Sequence, residues 1–175
     1  MQKVLILGCP GAGKSTFARR LHAVTGLPLH YLDRLWHRPD RSTAAPEDFD
    51  RALAQILAQD RWIVDGNYLR TLPRRLARCD AVVLLDYPRR VCLFRALRRI
   101  LTWRGRTRPD MAAGCPERLD GEFVRWIWEF HRTQRPQVLE LLDGWTGELR
   151  VFRSPCACAG FLAKLEREGQ IWRKF

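Results

Sequence analysis

The hydrophobic residues of the chain fall into two patterns that alternate along its length. Short, nearly continuous apolar runs predict buried strands, and longer segments with apolar residues every three or four positions predict amphipathic helices. The predicted strands are residues 3–7, 28–32, 62–64, 81–85 and 149–152. The predicted helices are residues 14–24, 46–59, 91–101 and 122–142, and residues 161–168 lie in a closing helix. This alternation indicates an α/β fold with a mainly parallel sheet of five strands.

Residues 104–120 interrupt the alternation. The segment is rich in Arg, Gly and Pro and has neither helical nor strand periodicity, so we expect a loop that acts as a lid. The chain contains no repeat, no low-complexity tract and no linker long enough to separate two units. We therefore expect residues 1–175 to form one domain that carries the lid segment.

Length and composition favour a folded protein of a reducing compartment. With 175 residues, 46% of them hydrophobic, the chain can bury a continuous core without disulfides. No apolar run approaches the roughly 18 residues that span a membrane, and the apolar stretch after Met1 is too short for a signal peptide. The six cysteines form no CxxC pair, which favours free thiols. These features predict a cytoplasmic protein without a membrane partner.

The formal net charge is +12, and only four of the 31 basic residues are lysines. Arginine can bind a phosphate through two parallel hydrogen bonds, so the surplus is typical of proteins that handle polyanions. An arginine-rich solvated surface explains the same charge equally well. Charge alone does not identify the anion.

One segment matches the phosphate-binding motif GxxxxGK[ST] in full. It follows a predicted strand and opens a predicted helix, which is the context in which this motif binds a nucleoside triphosphate. Glycines let successive backbone N–H groups turn toward a phosphate, and the helix N-terminus adds partial positive charge. Lys14 is expected to reach the β- and γ-phosphates, and the Ser15 hydroxyl to hold Mg²⁺. The residues expected to bind ATP are Gly8, Cys9, Pro10, Gly11, Ala12, Gly13, Lys14, Ser15 and Thr16.

Cys9 lies inside this loop, close in sequence to Lys14 and to the start of a helix. Such surroundings lower the pKa of a thiol. The sequence therefore predicts a reactive cysteine that ATP would protect.

Three aspartates follow predicted strands: Asp33, Asp65 and Asp86. In open α/β sheets, ligands bind at the carboxyl ends of the strands. A phosphotransferase needs carboxylates there to orient Mg²⁺ and to accept the proton of the substrate hydroxyl. Aspartate is also common in turns. We expect functional roles for Asp33 and Asp65, whereas Asp86, which leads into Tyr87 and Pro88, is more typical of a turn.

With these residues in place, the chain resembles the adenylate-kinase-like P-loop kinases and, more narrowly, the bacterial DNA topology modulation proteins. The resemblance runs through the segments GCPGAGKST, YLDRLWHRP, WIVDGNY, TRPDMAAGCPERLD and RWIWEF. It implies a three-layer P-loop NTPase fold with helices on both faces of a parallel sheet in the order 2-3-1-4-5. It further implies that Asp65 acts with Ser15 on Mg²⁺, and that Asp33 is the acceptor-side aspartate.

The resemblance has one clear departure. Asn67 and Tyr68 stand where adenylate kinases have Phe-Pro-Arg, so the residues that recognise AMP in those enzymes do not carry over. The implied activity is therefore an ATP- and Mg²⁺-dependent phosphoryl transfer whose acceptor is left open.

The predicted lid carries a cluster of arginines: Arg98, Arg99, Arg104, Arg106 and Arg108 flank Gly105, and Arg118 follows the loop. By resemblance to the lid arginines of adenylate kinases, Arg104, Arg106 and Arg118 are expected to contact the transferring phosphoryl group and exclude water from it. A solvated basic loop is the alternative. In the helix that follows, Trp126 and Trp128 are expected to belong to the core rather than to stack on a base.

Two classes of function remain open at this point. The first is a kinase that acts on a nucleotide or on another small hydroxylated or phosphorylated acceptor. The second is an ATP-binding protein that acts on DNA; a kinase for polynucleotide ends would combine the two. No helix-turn-helix or zinc-finger motif is visible in the sequence, and basic charge gives only non-specific affinity for nucleic acid.

Overall fold

A computed structural model of the chain describes most of its residues: 1–40, 42–107, 110–111, 114 and 121–168. The strands are β1 (Lys3–Gly8), β2 (Leu29–Tyr31), β3 (Trp62–Asp65), β4 (Ala81–Leu85) and β5 (Glu148–Phe152). The helices are α1 (Lys14–Thr25), α2 (Leu32–Trp36), α3 (Pro46–Leu57), α4 (Leu72–Leu76), α5 (Arg89–Thr102), α6 (Gly121–Leu142) and α7 (Pro155–Glu168).

The five strands form one parallel sheet in the order β2-β3-β1-β4-β5. β1 is the central strand, and its residue Val4 lies opposite Ile63 of β3 on one side and Ala81 of β4 on the other. This order confirms the fold class expected from the resemblance. It brings the carboxyl end of β3 beside the loop that follows β1, because the two strands are neighbours.

The two faces of the sheet bury two separate sets of apolar residues. Val4 and Ile6 of β1 pack on one face with Phe17 and Leu21 of α1. The alternate residues of β1 pack on the opposite face, against α3, α4 and the C-terminal part of α6. Strand residues buried on both sides are characteristic of a parallel sheet covered by helices. The sheet is therefore the rigid middle layer on which the loops at its carboxyl edge are mounted.

Several boundaries differ from the predicted ones. β2 ends at Tyr31, and the predicted strand residue Leu32 begins the short helix α2, so that Asp33 lies in a helical first turn rather than at a strand end. α4, with Pro73 near its start, was not predicted because five residues are too few for a helical period. α7 begins at Pro155, earlier than the apolar periodicity indicated.

Arg104 and Arg106 of the predicted lid lie in an exposed turn that follows α5. Most of the segment beyond them, including Arg118, lies outside the described residues. Its role as a lid stays a prediction. Among the residues described, no helix is both long and apolar enough to cross a lipid bilayer.

Candidate active site

The loop between β1 and α1 has the backbone of a phosphate-binding loop. Gly13 directly precedes α1 and has φ 98°, the left-handed conformation that favours glycine. Gly11 lies against α5, where a Cβ atom would collide with the carbonyl oxygen of Cys92. The backbone therefore requires glycine at both positions. The loop ends at the N-terminus of a 12-residue helix, a position that favours a bound anion.

Lys14 and Arg95 bring two positive charges to this loop. The Nζ of Lys14 donates hydrogen bonds to the carbonyl oxygens of Gly8, at 2.9 Å, and Cys9, at 3.4 Å. Arg95 is an exposed residue of α5, and its Nε donates to the carbonyl oxygen of Gly11 at 3.1 Å. Two cations beside a helix N-terminus supply the charge that a polyphosphate needs.

Asp65 is the last residue of β3, and it is only 5% exposed. Its carboxylate accepts a hydrogen bond from Ser15, while its Oδ1 has no hydrogen-bond partner among the described residues. Burial raises the pKa of Asp65 from 3.8 to about 6, although Lys14 and Ser15 lower it. A buried carboxylate oxygen that lacks a partner, next to a serine hydroxyl, is a donor set that suits Mg²⁺.

Asn67 joins the end of β3 to the phosphate-binding loop. Its Oδ1 accepts a hydrogen bond from Gly8 N at 3.0 Å, and its Nδ2 donates to Gly8 O at 2.9 Å. Both polar groups of one backbone residue are thus paired with one side-chain amide. No role was predicted for Asn67 from the sequence. The one signal in the sequence is its position two residues after Asp65, at the end of a strand.

Tyr68, in the turn after β3, meets Asp33, in the first turn of α2, at one side of the cleft. The Tyr68 hydroxyl donates a 2.8 Å hydrogen bond to Asp33 Oδ1. Burial and the neighbouring Asp33 raise the pKa of Tyr68 well above its usual range, so the hydroxyl remains a donor. The Tyr68 ring also packs against Phe49 and Trp36, with centroid distances of 5.1 and 5.9 Å. This side of the cleft therefore combines a carboxylate with an aromatic wall.

Arg75 of α4 is completely buried beneath the same segment. Its guanidinium donates hydrogen bonds to the carbonyl oxygens of Gly66, at 2.7 Å, of Asn67, and of Tyr68, at 3.0 Å. Burial lowers the pKa of Arg75 to about 10, so the side chain is charged at neutral pH. One cation therefore satisfies three successive carbonyl groups of the turn after β3.

All of these groups except the buried Arg75 and the Gly8 backbone face or border one cleft of about 1080 Å³. The phosphate-binding loop lines it with Pro10, Gly11, Gly13, Lys14, Ser15 and Thr16. Cys9 and Ala12 are buried beneath the loop. Asp33, Asp65 and Asp110 also line the cleft; Asp65 lies beside Ser15, and Asp110 is a buried residue that the sequence did not single out.

Of the arginines that the sequence grouped with the lid, Arg98 and Arg99 line the cleft, whereas Arg95 was not expected there. In the described part of the chain, the lining includes Arg95, Arg98 and Arg99 of α5, and neither Arg104 nor Arg106. The helical spacing of the first three puts them on the side of α5 that passes the phosphate-binding loop. The catalytic roles of Arg104, Arg106 and Arg118 stay predictions.

Three other expectations are corrected or refined by the structure. Cys9 is buried, and its contact with Cys92 together with burial raises the pKa of its thiol, so the prediction of an activated cysteine was wrong. Asp86 forms a two-pronged ion pair with Arg135, at 2.7 and 2.8 Å, as a structural residue would. Trp126 is 39% exposed and lines the cleft rather than the core.

A parallel sheet in this order, with a phosphate-binding loop after its central strand, defines the fold of the P-loop kinases. Two solved structures share it over nearly the whole chain. A shikimate kinase from Acinetobacter baumannii in complex with shikimate superposes with a TM-score of 0.62 and 16% identity, covering 96% of this chain and 92% of that one. The shikimate kinase from Bacteroides thetaiotaomicron gives a TM-score of 0.59 and 15% identity over 95% and 97% of the two chains.

In sequence, the chain is similar to adenylate kinases over about half its length. It is 35% identical to the adenylate kinase of Solanum tuberosum over 92 residues, which are 50% of this chain and 31% of that protein. It is 30% identical to the adenylate kinase of Thermotoga petrophila over 94 residues, which are 52% of this chain and 42% of that protein. The chain thus spans less than half the length of the curated relatives it matches. No protein-family model matches it.

Proposed function

We propose that the protein is an ATP- and Mg²⁺-dependent phosphotransferase that acts on a small molecule. The observation that carries this proposal is the meeting of Lys14, the Ser15–Asp65 pair and Asp33 in one cleft. The first three are groups that bind a triphosphate with its metal, and the last is a group that can accept a proton. The similarity to adenylate kinases and the fold of shikimate kinases support the same reaction class.

On this proposal, Lys14 leaves Gly8 O and Cys9 O and binds the β- and γ-phosphates, while Arg95 and its neighbours on α5 contact the transferring group. Mg²⁺, when bound beside Ser15 and Asp65, neutralises charge on the β- and γ-phosphates. Asp33 takes the proton of the acceptor hydroxyl while the acceptor oxygen bonds to the γ-phosphorus and the bond to the ADP oxygen breaks. Tyr68 fixes the Asp33 carboxylate for that step.

The acceptor differs from AMP in how it is recognised. On the acceptor side, Arg38 pairs with Asp48 at 3.4 Å, and Arg70 and Arg74 pair with Asp50 at 2.7 and 3.6 Å. These cations already have carboxylate partners. The groups that line this side include Asp33, Trp36, His37 and Tyr68 instead. A small acceptor with hydroxyl groups and an apolar face fits such a wall.

The decisive experiment is transfer of label from γ-labelled ATP·Mg²⁺ to a panel of nucleosides, nucleotides, sugars and hydroxy acids. We expect a labelled product with the wild-type protein and none with Lys14→Ala. Failure of the folded wild-type protein to bind ATP would contradict the proposal. The relatives named above are adenylate and shikimate kinases, and no group in the described part of the site favours DNA, so a role in DNA topology stays a prediction from the sequence.

A further inference from the structure

We propose that Arg75 and Asn67 are positioning residues that hold the phosphate-binding loop and the acceptor-side Asp33 in a fixed relation to each other. This inference rests on the function proposed above, and it concerns groups whose described hydrogen bonds are to backbone atoms. Arg75 is completely buried, and its hydrogen-bond partners in the described structure are backbone carbonyl groups.

Burying the charged Arg75 side chain beneath the turn after β3 has a cost in free energy. A buried charge is unfavourable unless several hydrogen bonds compensate for it. The Arg75 guanidinium binds the carbonyl oxygens of Gly66, Asn67 and Tyr68, while its Nε is buried without a partner in the described structure. An apolar side chain of similar size would fill the space without that penalty but would leave three carbonyl groups unpaired. The arginine is therefore best explained by the turn that it shapes.

The turn that Arg75 binds has a strained backbone at Tyr68. Tyr68 has φ 35°, the only positive φ of a non-glycine residue in the described chain. Backbone strain of this kind persists where surrounding contacts determine it, and it is found preferentially at functional sites. The bond from Arg75 to Tyr68 O holds the strained residue. Its side chain then points its hydroxyl at Asp33 Oδ1.

Asn67 connects the same turn to the phosphate-binding loop. Asn67, whose own carbonyl is bound by Arg75, pairs both backbone groups of Gly8. Gly8 O also accepts from Lys14 Nζ. When Lys14 moves to a phosphate, Asn67 Nδ2 still satisfies Gly8 O, so the lysine can leave without exposing an unpaired buried carbonyl. Arg75 thus acts on the ATP side through Asn67 and on the acceptor side through Tyr68.

The test uses the whole chain and compares Arg75→Lys and Arg75→Met with Arg74→Met. Arg74 is the adjacent exposed residue, bound to Asp50, and serves as the matched control. Three quantities are measured below the unfolding transition: the Kd of ATP·Mg²⁺, the rate of acceptor-independent ATP hydrolysis, and hydrogen exchange of the Gly8 amide without nucleotide. For both Arg75 variants we expect about tenfold or greater weakening of ATP binding, a comparable loss of rate and faster Gly8 exchange. Arg74→Met should stay within about twofold of wild type, as surface substitutions do.

Asn67→Ala supplies a second test should the Arg75 variants fail to fold. This substitution removes both side-chain hydrogen bonds to the Gly8 backbone but leaves Arg75 in place. Hydrogen exchange of the Gly8 amide should therefore accelerate, and ATP binding should weaken. Gly8 exchange and ATP affinity within about twofold of wild type in a folded Arg75→Lys or Asn67→Ala protein would overturn the proposal. A wild-type protein that fails to bind ATP, with Gly8 exchange still sensitive to Arg75, would refute the kinase function and leave the positioning role standing.

Discussion

The Tyr68 hydroxyl lies 2.8 Å from Asp33 Oδ1, so the carboxylate proposed as the base is held by a side chain from the turn after β3. The two residues follow neighbouring strands, since β2 and β3 pair in register with Tyr31 opposite Asp65. The orientation of the acceptor-side carboxylate therefore depends on the turn after β3, the same turn whose Asn67 side chain binds Gly8 of the phosphate-binding loop.

Replacement of Tyr68 by Phe should lower the transfer rate more than ATP affinity. The variant keeps the aromatic packing with Phe49 and removes one hydrogen bond to a charged group, so we expect a loss of about tenfold in kcat. Steady-state kinetics with the identified acceptor measure this, with ATP binding followed by calorimetry. An unchanged kcat would mean that Tyr68 does not orient the base.

Lys14→Ala should abolish ATP binding without unfolding the protein. The Lys14 ammonium bonds to the carbonyl oxygens of Gly8 and Cys9, at the start of its own loop, so its removal deletes a phosphate contact and no core volume. Circular dichroism tests whether the variant remains folded, and calorimetry tests whether it binds ATP. Lys164→Ala on α7 is the control, and it should bind ATP normally.

Asp65→Asn should stabilise the ligand-free protein while it weakens the response to Mg²⁺. The pKa of Asp65 is about 6 in the folded protein and 3.8 as its ordinary value, so between pH 3.8 and 6 folding is accompanied by uptake of a proton. The stability that this proton contributes is lost as the pH rises from 3.8 to 6. At pH 7.5 the charged carboxylate therefore destabilises the fold, and Asn should raise the free energy of unfolding by about 1–3 kcal/mol. Urea unfolding of this variant and of the exposed control Asp60→Asn measures the difference.

The same pKa predicts the pH dependence of metal binding. Below about pH 6 a proton competes with Mg²⁺ for Asp65, so the affinity for ATP·Mg²⁺ should fall as the pH is lowered from 7.5 to 5.5. Protonation of ATP itself contributes equally in the Asp65→Asn variant. Identical pH profiles for the two proteins would show that Asp65 takes no part.

Arg95→Ala should reduce turnover by about tenfold or more, with a smaller loss of ATP affinity, if its guanidinium contacts the transferring phosphoryl group. Arg104→Ala and Arg106→Ala provide the comparison, because those side chains lie outside the described cleft lining. A smaller loss of turnover in Arg104→Ala and Arg106→Ala than in Arg95→Ala would indicate that α5, rather than the lid turn, supplies the phosphoryl contacts. Equal or larger losses would restore the assignment made from the sequence.

Alkylation should label Cys156 before Cys9. Cys156 is exposed on α7, whereas Cys9 is buried, and its contact with Cys92 and its burial raise the pKa of its thiol. Brief treatment with iodoacetamide followed by peptide mass spectrometry gives the order of reaction. Rapid labelling of Cys9 that ATP prevents would instead support the environment inferred from the sequence.

The parts of the fold predicted correctly are those that depend on local pattern. The buried runs in β1 and β4 and the motif ending in Lys14 and Ser15 are signals confined to a few adjacent residues. The Asn67–Gly8 pair joins positions 59 residues apart, and only the neighbouring placement of β1 and β3 brings them together. Cys9 shows the same limit, because its burial beneath α5 decides its chemistry and no local sequence feature reports that burial.

The close approach of Gly11 to Cys92 has a mechanical consequence. Because the Gly11 and Cys92 backbones lie in close contact near the start of α5, any shift of the loop would push directly on the helix. Thr102 ends α5 ten residues beyond Cys92, about 15 Å farther along the axis, so a tilt of about 10° at the contact would displace that end by about 2.6 Å. Arg98 and Arg99 would travel with it. A small motion of the loop would therefore become a larger one at the far end of α5, and a side chain at Gly11 would force the loop and the helix apart.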